Sequence, residues 1–270
     1  MAETLSDWLA LREAADAAAR SVALTRAVAE KLPHDRPLRA VDLGTGTGSN
    51  IRYLMPRLAA DVQQWLLVDA DPTLLSKAVR SLRPMHSIVV ETREMNLGAL
   101  DARLFSRRDL VTASALLDLV SERWLGELAS ECRTAGAAVL FALTYDGRSH
   151  CDPPEPEDDE VRGLMNRHQR QNDKGFGRAA GPDAVAIAER SFAEAGYHVM
   201  REPADWMLAP DARELQRQLV DGWAVAAREM APDRSAVIDD WLRRRLEHIV
   251  AGRSRITVGH EDLGAWPSSR

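Results

Sequence analysis

The stretch LRAVDLGTGTGSNIRYLMPRL, residues 38–58, decides the reading of this 270-residue chain. Residues 38–43 are a short apolar run that reads as a buried strand. Gly44, Gly46 and Gly48 follow at alternate positions, with Asp42 two residues ahead of the first. Ile51, Leu54 and Leu58 then share one side of a helix. Strand, glycine turn and helix, in that order, open a nucleotide- or nucleoside-binding unit. A dinucleotide fingerprint, G-x-G-x-x-G, wants its third glycine at 49, where Ser49 stands. The spacing acid-x-G-x-G-x-G instead leaves the backbone open to a ligand that carries an amino acid and a nucleoside rather than a pyrophosphate.

Outward from this turn, strands and helices alternate at short spacing. VQQWLLVD (62–69), HSIVVET (86–92), DLVTAS (109–114) and AAVLFALTY (137–145) read as strands, with helices over 72–82 and 121–133. That alternation argues for a parallel sheet with helices on both faces. Beyond residue 145 the pattern changes. DPPEPEDDE (152–160) is an acidic, proline-rich loop, and a helix with Val161, Leu164, Met165 and His168 in one stripe follows it. NDKGFGRAAGP (172–182) reads as a glycine-held loop before a helix over 182–195. Residues 197–208 are strand-like but interrupted by Pro203, hence an edge or bulged strand. Two helices (212–230 and 233–251) and a last strand (255–266) follow. At the other end one helix is expected over 7–32. Trp8, Leu11, Ala15, Ala18 and Val22 form its apolar face, with Arg12, Asp16 and Arg20 as ion pairs on a solvated face.

Asp69 ends the second strand 25 residues beyond Gly44, where an acid accepts both hydrogen bonds from a ribose diol. With it, the sequence resembles the class I S-adenosylmethionine-dependent methyltransferases. VDLGTGTG (41–48) resembles their first motif and LVDADP (67–72) their second-strand motif. The resemblance is carried by residues 38–145, and the remainder fits by topology. It implies a Rossmann-like α/β fold: a seven-stranded, mostly parallel sheet of order 3-2-1-4-5-7-6, helices on both faces, and one methyltransferase domain over 1–270. It implies S-adenosylmethionine as cofactor and S-adenosylhomocysteine as product. The residues it assigns to the cofactor are Asp42, Gly44, Thr45, Gly46, Gly48, Asp69, Ala70, Asn96, Leu97 and Ser114. The glycines give backbone access, Asp69 holds the ribose, and Asn96 and Leu97 hold the adenine. The implied activity is methyl transfer to a small-molecule acceptor, on oxygen or nitrogen. A cofactor-binding regulatory protein without turnover is the other reading.

In open parallel sheets ligands bind beyond the carboxyl ends of the strands, so the acceptor belongs over Ser114 and Tyr145. A helical cap is expected to cover it, made from the N-terminal segment 1–37 and from 146–180 and 209–251. His168 is the candidate general base for a hydroxyl acceptor. Asp118, Tyr145, Lys174 and Phe176 are candidate substrate residues, with Phe176 expected on the same wall as His168 and Tyr145. His150 and Cys151 read as loop residues, Cys132 as core, and Arg243, Arg244 and Arg245 as a solvated face. No amide-recognition sequence of the Asn-Pro-Pro-Tyr kind follows the fourth strand, and no metal-ligand constellation is readable.

Composition bounds these readings. Apolar residues at 45% and charged residues at 28% belong to an ordinary globular chain. A net charge of −6 demotes nucleic acid as a partner. Two cysteines build no disulfide framework. The first residues lack the basic-then-apolar order of a signal peptide, and no apolar run reaches the roughly 20 residues a bilayer needs. The chain is therefore expected to be a soluble, cytoplasmic protein with no membrane partner.

Overall fold

The apolar run at 38–43 is a strand, β1 (Leu38–Leu43), in a computed structural model that describes residues 4–82, 88–171, 173 and 175–268. It pairs in parallel with β2 (Gln63–Asp69) on one side and β4 (Leu110–Ser114) on the other. β3 (Ile88–Glu94) pairs in parallel outside β2, and β5 (Ala138–Asp152) outside β4. β8 (Arg255–Pro267) runs antiparallel to β5 and carries both β6 (Tyr197–Pro203) and β7 (Trp206–Leu208) on its far side. The order is β3-β2-β1-β4-β5-β8-β6, with β7 paired to β8 beyond β6.

The described residues thus hold eight strands where seven are expected, because the strand over 197–208 divides. Pro203 has no N–H for the ladder. The chain steps out at Ala204, whose N–H donates to the His260 carbonyl (2.8 Å), while the Asp205 carboxylate accepts from the His260 N–H (3.1 Å). Counted as one strand in two pieces, β6 and β7 restore the expected order.

Alternation along the strands sends side chains to opposite faces. From β2, Leu66 and Val68 join the core beneath α5 (Glu122–Ala135) and α7 (Ala184–Glu194), with Trp124 and Phe192. Trp65 and Leu67 join the other core, beneath α2 (Val22–Ala29), α3 (Ser49–Leu54) and α4 (Pro72–Leu82). Helix α2 comes down on β8 at Gly264, where a Cβ would stand 2.7 Å from Val28. A third cluster fills the space between the outer ends of β5, β7 and β8 and three helices, α6 (Asp158–Gln171), α8 (Arg213–Met230) and α9 (Ser235–Val250).

Three local expectations are corrected. The N-terminal helix is two, α1 (Leu5–Ala19) and α2, broken at Arg20 and Ser21. Ser21 caps α2 by accepting from the Leu24 N–H (3.1 Å), and its own N–H donates to buried Asp262 (2.9 Å). Strand β5 continues to Asp152, so residues 146–152 are sheet rather than cap, and Cys151 is buried. Among the three arginines, Arg245 is buried and donates to the Pro153 carbonyl, while Arg244 pairs with Glu155 and Glu157. They fasten the acidic loop to α9. Among the described residues no helix is long and apolar enough to cross a membrane.

Candidate functional site

The glycine turn shows why its spacing is what it is. Gly44, Gly46 and Gly48 have φ of +66°, +55° and +85°, a left-handed conformation that side-chain-bearing residues avoid. Thr45 ties the turn to the sheet: its hydroxyl donates to the Asp42 carbonyl (2.9 Å) and accepts from the Val68 N–H (3.2 Å). The Gly46 N–H donates to one Asp69 oxygen (2.7 Å), and the other accepts from the Asp71 N–H (3.0 Å).

Behind the turn lies a buried polar cluster. Asp42 accepts from Asn50 Nδ2 (2.6 Å), and burial pushes its pKa up to about 7. Asn50 also donates to the Thr112 hydroxyl (3.1 Å), and its carbonyl oxygen accepts from Arg20. Arg20 is 5% exposed and lies over the Tyr53 ring, 4.2 Å from its centroid. Its Nε and Nη2 and one Asp42 oxygen have no hydrogen-bond partner among the described residues. Unpaired buried groups of this kind are costly, and ligands commonly complete them.

A cavity of about 550 Å³ opens beyond the carboxyl ends of β1, β2, β4 and β5. One end is lined by Gly44, Gly46, Asp69, Leu74 and Ser114, under Leu9 of α1. The other is lined by Trp8, Tyr145, Met165, Trp206, Trp223 and His260. A recess of about 200 Å³ adjoins it, sharing Asp16, Ser49, Asn50, Ser114 and Leu143, and reaches Arg20. Ala115 and Leu143, where β4 and β5 meet the cavity, hold φ of +51° and +56°. Such strain in residues with side chains persists only where surroundings enforce it, and the Leu143 N–H is held by Asp262 (2.8 Å).

Electrostatics differ between the ends. Arg12 grips Asp16 with two nitrogens (2.9 Å for the shorter contact), Trp206 Nε1 donates to the same carboxylate (3.1 Å), and the guanidinium lies over the Trp206 ring. The Tyr145 hydroxyl donates to Asn166 (2.9 Å), and burial raises its pKa. Burial, aided by Arg12, pushes the His260 pKa down to about 3, so its imidazole is neutral.

Of the residues expected at the site, Gly44, Thr45, Gly46, Asp69, Ser114, Asp118 and Tyr145 line the cavity. Gly48 starts α3 behind the turn, Asp42 is covered by Asn50, and Ala70 is exposed past the end of β2. Asn96 and Leu97 lie outside the lining. Asn96 closes a turn by accepting from the Gly98 N–H (2.8 Å), while buried Leu97 accepts from Trp124 Nε1 through its carbonyl (2.7 Å).

His168 is turned aside to Glu229 of α8 (2.7 Å). On α6, Met165 and Gln169, one turn apart, face the cavity, and His168 stands beside that row. Phe176 also leaves the expected wall: half-buried, it packs edge-on against Trp124 (6.1 Å) at the edge of the core, in a loop closed down on Gly98. Lys174 lies outside the described residues. Sequence reasoning missed Arg12, Asp16 and Arg20, whose i, i+4, i+8 stripe faces the cavity and its recess rather than solvent. It also missed His260, which alternation aligns with inward-facing Val258.

No family model matches the chain, and no curated protein matches it in sequence. Solved structures do match it in three dimensions. A putative methyltransferase from Bacillus halodurans is 14% identical, with a TM-score of 0.51 over 90% of this chain and 99% of that one. The YcgJ protein from Bacillus subtilis is 13% identical, with a TM-score of 0.49 over 91% and 98%. A cyclopropane synthase from Mycobacterium tuberculosis is 11% identical, with a TM-score of 0.47 over 90% and 83%. At such identities the likeness is one of fold. The chain has the Rossmann-like fold of the class I S-adenosylmethionine-dependent methyltransferases.

Proposed function

We propose that this protein transfers a methyl group from S-adenosylmethionine to a small-molecule acceptor in the cytoplasm. The observation that carries this reading is the left-handed glycine turn set beside the Asp69 carboxylate on one cavity wall. Each Asp69 oxygen accepts one backbone hydrogen bond and keeps a lone pair for a ribose hydroxyl. Arg20, which lines the recess beside the turn, is a cation suited to a carboxylate such as that of the methionyl end. Asp42 organises the turn from behind.

S-adenosylmethionine, when bound, supplies a methyl group already activated on a sulfonium. The chain's own part is to hold, align and dry the reactants. Gly44, Gly46, Asp69 and Ser114 hold the donor end. Asp118 and Tyr145 belong to the acceptor end, and α1 lays Trp8 and Leu9 across both. In this reading the chain is one methyltransferase domain whose cap is α1 with α6 and α8. A cavity of about 550 Å³ suits two small ligands, and the net charge of −6 favours a small acceptor over nucleic acid. The buried free thiols of Cys132 and Cys151 agree with a reducing compartment.

Incubation with methyl-labelled S-adenosylmethionine and fractionated metabolite extracts tests the reading. Release of S-adenosylhomocysteine with a labelled small product is expected. Bound cofactor with no product in any fraction would leave a regulatory protein instead.

A further inference from the structure

The acceptor end of the cavity specifies more than its size. His260 Nδ1 lies 3.1 Å from the Val258 carbonyl, which only accepts, so Nδ1 carries the proton and Nε2 is left with a lone pair. Nε2 has no hydrogen-bond partner among the described residues, and His260 lines the cavity. The imidazole is fixed between Trp206 (5.2 Å between ring centroids) and Tyr145 (6.1 Å). Trp8 and Trp223 add two more indole faces to the same end. Aromatic side chains offer flat apolar surface at low entropic cost and favour offset or edge-on partners. The Arg12–Asp16 pair is closed on itself and on Trp206, so its two charges are matched within it.

We propose that the acceptor is an aromatic molecule bearing a hydroxyl group, packed among Trp8, Trp206 and Trp223 with its hydroxyl donating to His260 Nε2. This rests on the methyltransferase reading for what then happens to the hydroxyl, but the binding claim stands apart from it. His260 is a positioning residue here. Its low basicity suits it to accept a hydrogen bond and orient the oxygen, not to carry a proton away. A phenol whose oxygen is already methylated has no proton to donate and leaves Nε2 unpaired.

Equilibrium dialysis of 2-naphthol, 2-methoxynaphthalene and decahydro-2-naphthol, each with and without S-adenosylhomocysteine, tests the proposal. Wild type is expected to bind 2-naphthol about tenfold more tightly than either analogue, one ordinary hydrogen bond or one aromatic stacking surface being worth roughly that ratio. His260→Phe should bring the naphthol and its methyl ether within about twofold of each other, and His260→Gln, which keeps an acceptor, should recover most of the discrimination. S-adenosylhomocysteine affinity, measured on the same preparations, should stay at the wild-type value and report that the variants fold. Equal binding of 2-naphthol and its ether by wild type, or undiminished discrimination in His260→Phe, overturns the role of His260. Equal binding of the saturated alcohol overturns the aromatic class. Failure of S-adenosylhomocysteine to bind wild type would strike the methyltransferase reading alone, because the naphthol comparison is also read without it.

Discussion

The two ends of the cavity are built on different plans. At the donor end, four consecutive residues (44–47) and one acid, Asp69, make the wall, and the backbone of the turn itself is the proposed binding surface. At the acceptor end, Trp8, Tyr145, Met165, Trp206, Trp223 and His260 arrive from six separate elements: α1, β5, α6, β7, α8 and β8. The first wall depends on local dihedral angles that glycine alone adopts cheaply. The second depends on aromatic side chains packing across elements far apart in sequence. The first should therefore survive changes that loosen the cap, and the second should not.

The largest effect that sharpens this contrast is expected for Trp206→Ala. Trp206 is 3% exposed, bonds Asp16, lies under Arg12 and faces Trp8, so it holds α1 to β7. Its truncation should cost about 3–5 kcal/mol in urea unfolding, the usual toll for a buried Trp. S-adenosylhomocysteine affinity at low urea should fall less than about tenfold, that is by less than about 1.4 kcal/mol. A loss of affinity matching the loss of stability would mean that the two ends are one unit.

A second effect, graded with pH, belongs to the donor end. Burial raises Asp42 from 3.8 to about 7 in the folded chain. The folded state then holds a proton that the unfolded state releases, so this group's contribution to stability is full below its unfolded pKa and is lost as pH rises towards 7. Asp42→Asn has no proton to lose and can still accept from Asn50. Relative to wild type, its stability should climb with pH between about 4 and 7, by at most about 1.4 kcal/mol per pH unit, and level off above. Urea titrations of both proteins at pH 5, 6, 7 and 8 measure the difference, and a flat one would show that Asp42 is already ionised in the fold.

What was legible in the sequence follows the same division. The turn, the acid that ends the second strand and the strand–helix alternation were readable because each is a short-range pattern, and the order of the sheet came with the family resemblance. The split of the last edge strand was half readable, since Pro203 marked the break but not the new pairing of β7. Arg12, Asp16 and Arg20 were misread because a polar stripe on a helix looks the same whether it meets water or a polar cavity. His168 and Phe176 were misplaced for a related reason. Helical periodicity gave the α6 stripe, but the neighbour that claims its edge, Glu229, lies 61 residues away, and the Trp124 that receives Phe176 lies on another helix.

The central claim is that the glycine turn and Asp69 form the binding site of an S-adenosyl ligand. Calorimetric titration of S-adenosylhomocysteine into wild type and Asp69→Ala tests it most directly. One site of micromolar affinity, roughly −8 kcal/mol, is expected in wild type. A loss of about 2–3 kcal/mol is expected in the variant, as for removal of a charge-assisted hydrogen-bond pair. An absence of binding to wild type, or equal affinity in the two proteins, would contradict it.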